Sequence, residues 1–164
     1  MDAEKKAQIG GFIQKFFIDG VPHNKAIGMR FLDISREYVR FALDYNPRFA
    51  GHPETGVIHG GVITAFMDSC SGAAVMSKIR GKSRAATLDL RIDYMKPAPP
   101  GETLICEAQC YHTTRHIAFV RAETFIDSKD ELIATSSATF ALMPFDISKM
   151  QEAFTERSAK KDQA

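Results

Sequence analysis

His59, Gly60 and Gly61 stand in a row within GHPETGVIHGGVITAFMDSCSGAAVMS (51–77), and Asp68 follows nine residues after the histidine. Adjacent glycines weaken a helix start unless the backbone must come close to something there. The aspartate sits between Phe66-Met67 and a run of small residues, in what reads as the buried part of a helix. The chemistry open to these residue types is acyl transfer. Free N–H groups of Gly60 and Gly61, at the positive end of a helix dipole, hold a carbonyl oxygen that gains charge. A donor preorganised in this way is worth about 10² to 10³ in rate. A carboxylate facing it, Asp68, activates water as general base or attacks directly. Taken singly, the triplet reads equally well as a glycine turn with a capping histidine, and Asp68 as a solvated or pairing helix carboxylate. Their combination at this spacing favours a site.

An α-helix turns about 100° and rises about 1.5 Å per residue, which sets Asp68 roughly opposite His59 and about 13 Å further along the axis. Within one chain the two cannot converge on one substrate atom. Two antiparallel copies of the helix in a symmetric dimer bring Asp68 of one to the Gly60-Gly61 end of the other, and a twofold axis makes that exchange twice. The expectation is therefore a homo-oligomer, a dimer or a dimer of dimers.

The elements that must position these residues follow from periodicity. Residues 4–19 read as an amphipathic helix with Ile9, Phe12, Ile13, Phe16 and Phe17 on one stripe, weakened by glycines at 10 and 11 and broken by DGVPHN. A short strand over 29–34 and an alternating one over 37–45, with Val39, Phe41, Leu43 and Tyr45 on one face, precede the loop NPRFAGHPETG. Residues 60–79 form the long central helix, whose small side chains let a sheet wrap closely around it. Four strands joined by short turns come next: 85–96, 102–112, 116–127 and 132–143. In the first of them Leu88, Leu90, Ile92 and Tyr94 are expected to share a face. A surface helix is expected over 145–157. The reading is an α+β fold with one antiparallel sheet packed on a central helix. Its organisation is an N-terminal helix and linker (1–25), the main domain (26–143) and a C-terminal tail (144–164).

Composition excludes several classes. The chain has 164 residues, 45% hydrophobic and 25% charged, enough for one domain with a sizeable core. Twenty-one basic and 20 acidic residues leave a net charge of +1, with no electrostatic footprint for nucleic acid. Cys70, Cys106 and Cys110 lack metal-type spacing, and the last two sit about 13 Å apart on one strand face. They are expected to be buried free thiols. The opening residues carry mixed charges without a signal-peptide-like apolar run, and nothing approaches the roughly 18 apolar residues of a membrane span. A cytoplasmic protein, without membrane contact, is the expectation.

GVIHGGVITAFMDSCSGAA followed by ATLDLRIDYMKPAPPGETL resembles the hotdog-fold acyl-CoA thioesterases, in the branch related to phenylacetate-pathway thioesterases. The resemblance covers roughly residues 26–143. It rests on G-x-x-H-G-G, an acidic residue nine after the histidine, and a strand ending Tyr-Met-x-Pro-Ala-x-x-Gly-Glu. It implies a hotdog fold, a sheet wrapped around a central helix, and sites shared across a dimer interface. It further implies hydrolysis of a thioester to free acid and CoA, with CoA as part of the substrate and with neither cofactor nor metal. Asp68 matches the family's nucleophile or general base, Gly60 its backbone donor to the carbonyl, and His59 the residue shaping that turn. Thr87 falls where a serine or threonine helps place water or the carboxylate. Tyr94, Lys96, His112, Arg115 and His116 lie where family members contact the nucleotide or pantetheine. One departure is Pro53, where the family frequently carries an amide as second carbonyl donor; His52 and Glu54 are the neighbours that could take its place. Phe31, Phe49 and Phe66 are candidates for an acyl pocket, which the N-terminal helix is placed to cover. Two other functions suit the same fold: a domain that only binds or senses acyl-CoA, and a thioester hydratase or dehydratase.

Overall fold

The computed structural model describes residues 3–35, 38–80 and 83–144. Small residues decide the architecture. The central helix α3, Gly60–Ile79, buries Ile63, Phe66, Met67, Cys70, Ser71, Ala73, Ala74 and Val75, which is most of its girth. Alanine, serine and glycine at these positions keep the helix thin, so strands approach it on several sides. The strands are β1 (Met29–Ile34), β2 (Val39–Leu43), β3 (Ser83–Tyr94), β4 (Leu104–Thr113), β5 (Ile117–Phe125) and β6 (Leu132–Pro144). They form one six-stranded sheet in the order β1-β2-β4-β5-β6-β3, antiparallel at every step. The helix packs against β2, β3, β4, β5 and β6, which is the expected α+β hotdog arrangement. Phe41, Leu43, Leu104, Cys106, Val120 and Ile133 close the core between sheet and helix.

The N-terminal region differs in detail from its periodicity. α1, Ala3–Phe12, runs straight into a π-helical stretch, Ile13–Ile18, which rotates the face that follows. Ile13 and Ile18 are buried, but Phe12 is 61% exposed, so the expected five-residue stripe does not hold together. Gly10 has a packing reason: a Cβ there would lie 2.5 Å from the Phe31 ring. The chain does not simply break at DGVPHN. After a turn it forms a short helix α2, Pro22–Ala26, with proline at its first position, where the missing N–H costs nothing. The helix expected over 145–157 lies outside the described residues.

β3 also departs from plain alternation. Its register against β6 shifts between Thr87 and Asp89, so Leu88 falls in a bulge and is 60% exposed instead of sharing a face with Leu90 and Ile92. A one-residue bulge switches which side chains point inward beyond it. All three cysteines are buried free thiols. The Cys70 thiol donates to the carbonyls of Cys106 (3.4 Å) and Val39 (3.5 Å), and burial pushes it well up. Among the described residues no helix is long and apolar enough to cross a membrane.

The outer face of β2, β4 and β5 carries a charge network. Arg40 stands opposite Glu107 in the register, and Glu107 opposite Glu123. Two carboxylates facing each other across strands repel. Lys129 lies between them, 2.6 Å from Glu107 and 2.8 Å from Glu123, while Arg40 donates to Glu107 at 2.7 Å. Burial alone raises the Glu107 carboxyl, but the hydrogen bonds and charges of Lys129 and Arg40 outweigh it and leave the group below its ordinary range. A depressed carboxylate adds stability above its unfolded value, about 4.3, and loses it as the pH falls through the folded value. Glu107→Gln is therefore expected to lower the denaturation midpoint at about pH 5 to 7. The gap from the parent closes as the pH falls below the ordinary carboxylate range, as urea titrations across the range will show.

Candidate active site

The run-in to α3 is held by backbone rails. Tyr45 donates its hydroxyl to the Gly56 carbonyl at 3.0 Å, and Gly56 adopts φ +68°, a left-handed turn that favours glycine. Ala50 and Ile58 bridge, the His59 N–H reaches the Phe49 carbonyl at 2.8 Å, and the Ile58 N–H reaches Ala98 at 3.2 Å. His59 is thereby fixed as the N-cap, where its Nδ1 accepts the Gly61 N–H at 2.9 Å. The two free donors expected at Gly60 and Gly61 are thus reduced to one. The Gly60 N–H meets no acceptor among the described residues, and it carries the positive end of a 20-residue helix.

Glycine at 60 also answers to a close neighbour. A Cβ there would lie 3.3 Å from the Tyr94 hydroxyl, which donates to the Gly60 carbonyl at 2.9 Å and lies 2.9 Å from the Thr64 hydroxyl. Tyr94, matched by resemblance to a CoA contact, sits 51% exposed at the helix start itself. Two turns further along α3, Asp68 is half-buried, and the Thr87 hydroxyl donates to its Oδ1 at 2.8 Å. The bulge at Leu88 connects these facts: it lets Thr87 on one side and Tyr94 on the other both face the same helix.

Asp68 and Thr87 stand on the wall of a cavity of about 570 Å³. Its aromatic walls are Phe17 and Phe140. The three phenylalanines singled out for an acyl pocket lie elsewhere: Phe66 is fully buried in the core, and Phe31 and Phe49 pack against that core. Periodicity could not separate them, because an aromatic residue reads alike on either side of a helix. The segment after α1 does cover the cavity, through Phe17, Val21, His23 and Asn24. Asn24, unnoticed in the sequence, is 5% exposed. Its amide donates to the Phe17 carbonyl at 3.0 Å and its Oδ1 accepts the Ser69 hydroxyl at 3.0 Å, tying the N-terminal segment to α3 beside Asp68. The only hint was an asparagine directly behind the Pro-His of PHN.

The other named residues divide between the two ends of the sheet. Lys96 lies just past Tyr94, at the α3-start end, where its backbone N–H meets the Ile133 carbonyl. His112, Arg115 and His116 are exposed at the β4–β5 hairpin, beside the Ser83 end of β3 and the far end of α3. One chain does not bring the two sets together. His52, Pro53 and Glu54 are exposed in the loop before the helix. The His112 ring leans on Phe119 with centroids 5.8 Å apart, and among the described residues no cluster of His, Cys, Asp and Glu could hold a metal.

The cap has a measurable weight. His59→Ala leaves the Gly61 N–H without its partner and is expected to cost about 1 kcal/mol, the usual value of an N-cap side chain. For a domain of this size the melting temperature should fall by about 2–4 °C, read by calorimetry.

Residues 55–133 match the family model described as the thioesterase superfamily. The medium/long-chain acyl-CoA thioesterase YigI of Escherichia coli K12 is 26% identical over 154 residues, covering 85% of this chain and 96% of YigI. A solved structure from Pseudomonas aeruginosa is 32% identical, with a TM-score of 0.70 over 77% of this chain and 94% of that one. The structure of E. coli PaaI, from the phenylacetic acid degradation operon, is 16% identical with a TM-score of 0.72, over 87% of this chain and 96% of PaaI, a likeness of fold. The helix start, the strand laid against it and these similarities agree: the chain belongs to the hotdog-fold thioesterase superfamily.

Proposed function

We propose that this chain hydrolyses acyl-CoA thioesters to the free acid and CoA in a homodimer, each site pairing Asp68 with the partner's Gly60. The observation that carries the reading is the Asp68 carboxylate on a cavity wall, one oxygen held by Thr87 at 2.8 Å and the other without a partner among the described residues. A carboxylate anchored on one side and open on the other is oriented for a single task. It takes a proton from water as the hydroxide adds to the thioester carbonyl carbon. The charge that gathers on the carbonyl oxygen falls to the partner's Gly60 N–H and its helix dipole. The C–S bond then breaks, and the departing CoA thiolate takes the proton from Asp68. Direct attack by the same carboxylate, through an anhydride opened by water, needs the same atoms.

The pairing has support in the edge strand. β3 is the terminal strand of the sheet, 12 residues long, with Leu88, Tyr94 and Met95 exposed along or just beyond it. Long apolar edges of this kind invite another strand. Because Thr87 meets Asp68 and Tyr94 meets Gly60, α3 and β3 run in opposite senses. A twofold axis near the middle of β3 passes near Thr64, midway between Gly60 and Asp68, so β3–β3 pairing draws each Asp68 toward the partner's helix start. It also brings the partner's His112, Arg115 and His116 toward Tyr94 and Lys96, where cationic and aromatic groups suit the nucleotide end of CoA. The substrate follows YigI, whose name describes a medium/long-chain acyl-CoA thioesterase and which this chain matches over nearly its whole length.

Asp68→Asn is expected to lower kcat by about 10² to 10⁴, the range for loss of a positioned base, measured by CoA thiol release. Gly60→Pro removes the N–H at a helix position that accepts proline, and His59 already has the extended backbone (φ −62°, ψ 134°) that a following proline requires. A Tyr94→Phe background relieves the close contact. Each inactive chain alone should stay slow. Mixed after co-refolding, they form heterodimers in which one site has both groups intact, and activity returns toward half. No recovery in a verified heterodimer would end the shared-site reading.

A further inference from the structure

The geometry points to an acyl-length gauge: the substrate chain lies along Asp68, Gly72 and Met76 of α3, beneath the Phe17–Asn24 segment, and Gly72 and Met76 set how much of it fits. This rests on the thioesterase reading of Asp68. The three residues are spaced four apart, so they lie on one helix face, and all three line the cavity. The stripe leads away from Asp68, where the proposed site sets the thioester carbonyl against the partner's Gly60, toward the far end of α3. Gly72 faces two rings at close range. A Cβ there would lie 3.4 Å from the Phe17 ring and 3.8 Å from the Phe140 ring, two aromatic walls from opposite ends of the chain. At these distances a methyl group would touch both rings, and a longer side chain would reach into the cavity that Gly72 lines. Beyond it stands Met76, half-buried, a flexible side chain well suited to closing an apolar passage.

The wall opposite the helix is fixed. Asn24 is buried and bonded at both ends, to Phe17 and to Ser69, so the cover is tied to α3 next to Asp68. The cavity volume of about 570 Å³ falls within the range of small-molecule sites, and its length along a helix suits a linear chain better than a compact ring. From Asp68 to Gly72 is about 6 Å and to Met76 about 12 Å at about 1.5 Å per residue. With an advance of about 1.3 Å per methylene, the projection of a roughly 1.5 Å C–C bond, these correspond to about five and about nine carbons. Short acyl groups end before Gly72, medium ones pass it, and Met76 is the stop.

Two variants test the gauge, each checked for folding by its melting curve. Saturated acyl-CoAs from C4 to C16 are compared by kcat/KM. Each methylene no longer buried should cost about fourfold, so the C12-to-C4 ratio of Gly72→Leu is expected to fall by about 10² or more. Met76→Ala should move the optimum to chains about two or three carbons longer, and it carries the test alone if Gly72→Leu does not fold. Displacement of a fluorescent fatty-acid probe by C4 to C16 acids measures the same lengths without turnover. A parent that binds acids up to a length limit that Gly72→Leu shortens, yet cleaves no acyl-CoA, supports the gauge and ends the thioesterase reading. A parent that cleaves the series, with length profiles parallel in both variants, overturns the gauge and leaves that reading intact.

Discussion

The close approach of β3 to α3 is the contact on which the site depends. One strand holds the helix at two places: Thr87 bonds the Asp68 carboxylate, and Tyr94 bonds the carbonyl of Gly60. The two contacts could not both form if β3 alternated without interruption, since Thr87 and Tyr94 are an odd number of residues apart and would point to opposite faces. The bulge at Leu88 resolves this by changing the parity of the strand midway. The same approach crowds position 60, where a Cβ would lie 3.3 Å from the Tyr94 hydroxyl and the tyrosine would have to give way slightly.

The chemical resources of the site are few, and most are backbone. A cap made by a histidine nitrogen takes up the Gly61 N–H and leaves that of Gly60, and Asp68 supplies the only acidic group on the cavity wall among the described residues. The abundant ion pairs are elsewhere, on the outer face of the sheet, where Arg40, Glu107, Lys129 and Glu123 answer one another across three strands and the turn after them. The cavity is lined mainly by apolar groups and hydroxyls, with Arg84, His23 and Asn24 among its polar walls. Electrostatic reinforcement of the sheet and the placement of the Asp68 carboxylate are thus kept on opposite sides of the same layer.

Much of this was legible in the sequence, and the reasons for the remainder are physical. The central helix over 60–79 and the strand over 29–34 were read at their observed bounds, because sustained periodicity and sharp glycine and proline punctuation leave little choice. His59 as a cap was one of the two accounts open to HGG, and it is what took the Gly61 amide out of the helix start. The bulge was hidden, because LDLRIDY alternates in letters whether or not the backbone slips by one residue. The cavity was hidden for a different reason. Its walls, Phe17, Gly72 and Phe140, are far apart in sequence, and a phenylalanine in a pocket looks the same on paper as one in the core. Asn24 was missed because a buried asparagine with both ends satisfied declares itself only through its partners.

The cover over the cavity is encoded before residue 26, whereas the carboxylate, its hydroxyl partner and the helix start lie between residues 59 and 94. The cover and the groups around Asp68 therefore occupy separate stretches of the gene, while Gly72 and Met76 share the helix that carries Asp68. A change in the leading segment would reshape the cover over the cavity and leave Asp68, Thr87 and the helix start in place. In such an architecture diversification is cheap at the front of the chain and heavily constrained in its middle.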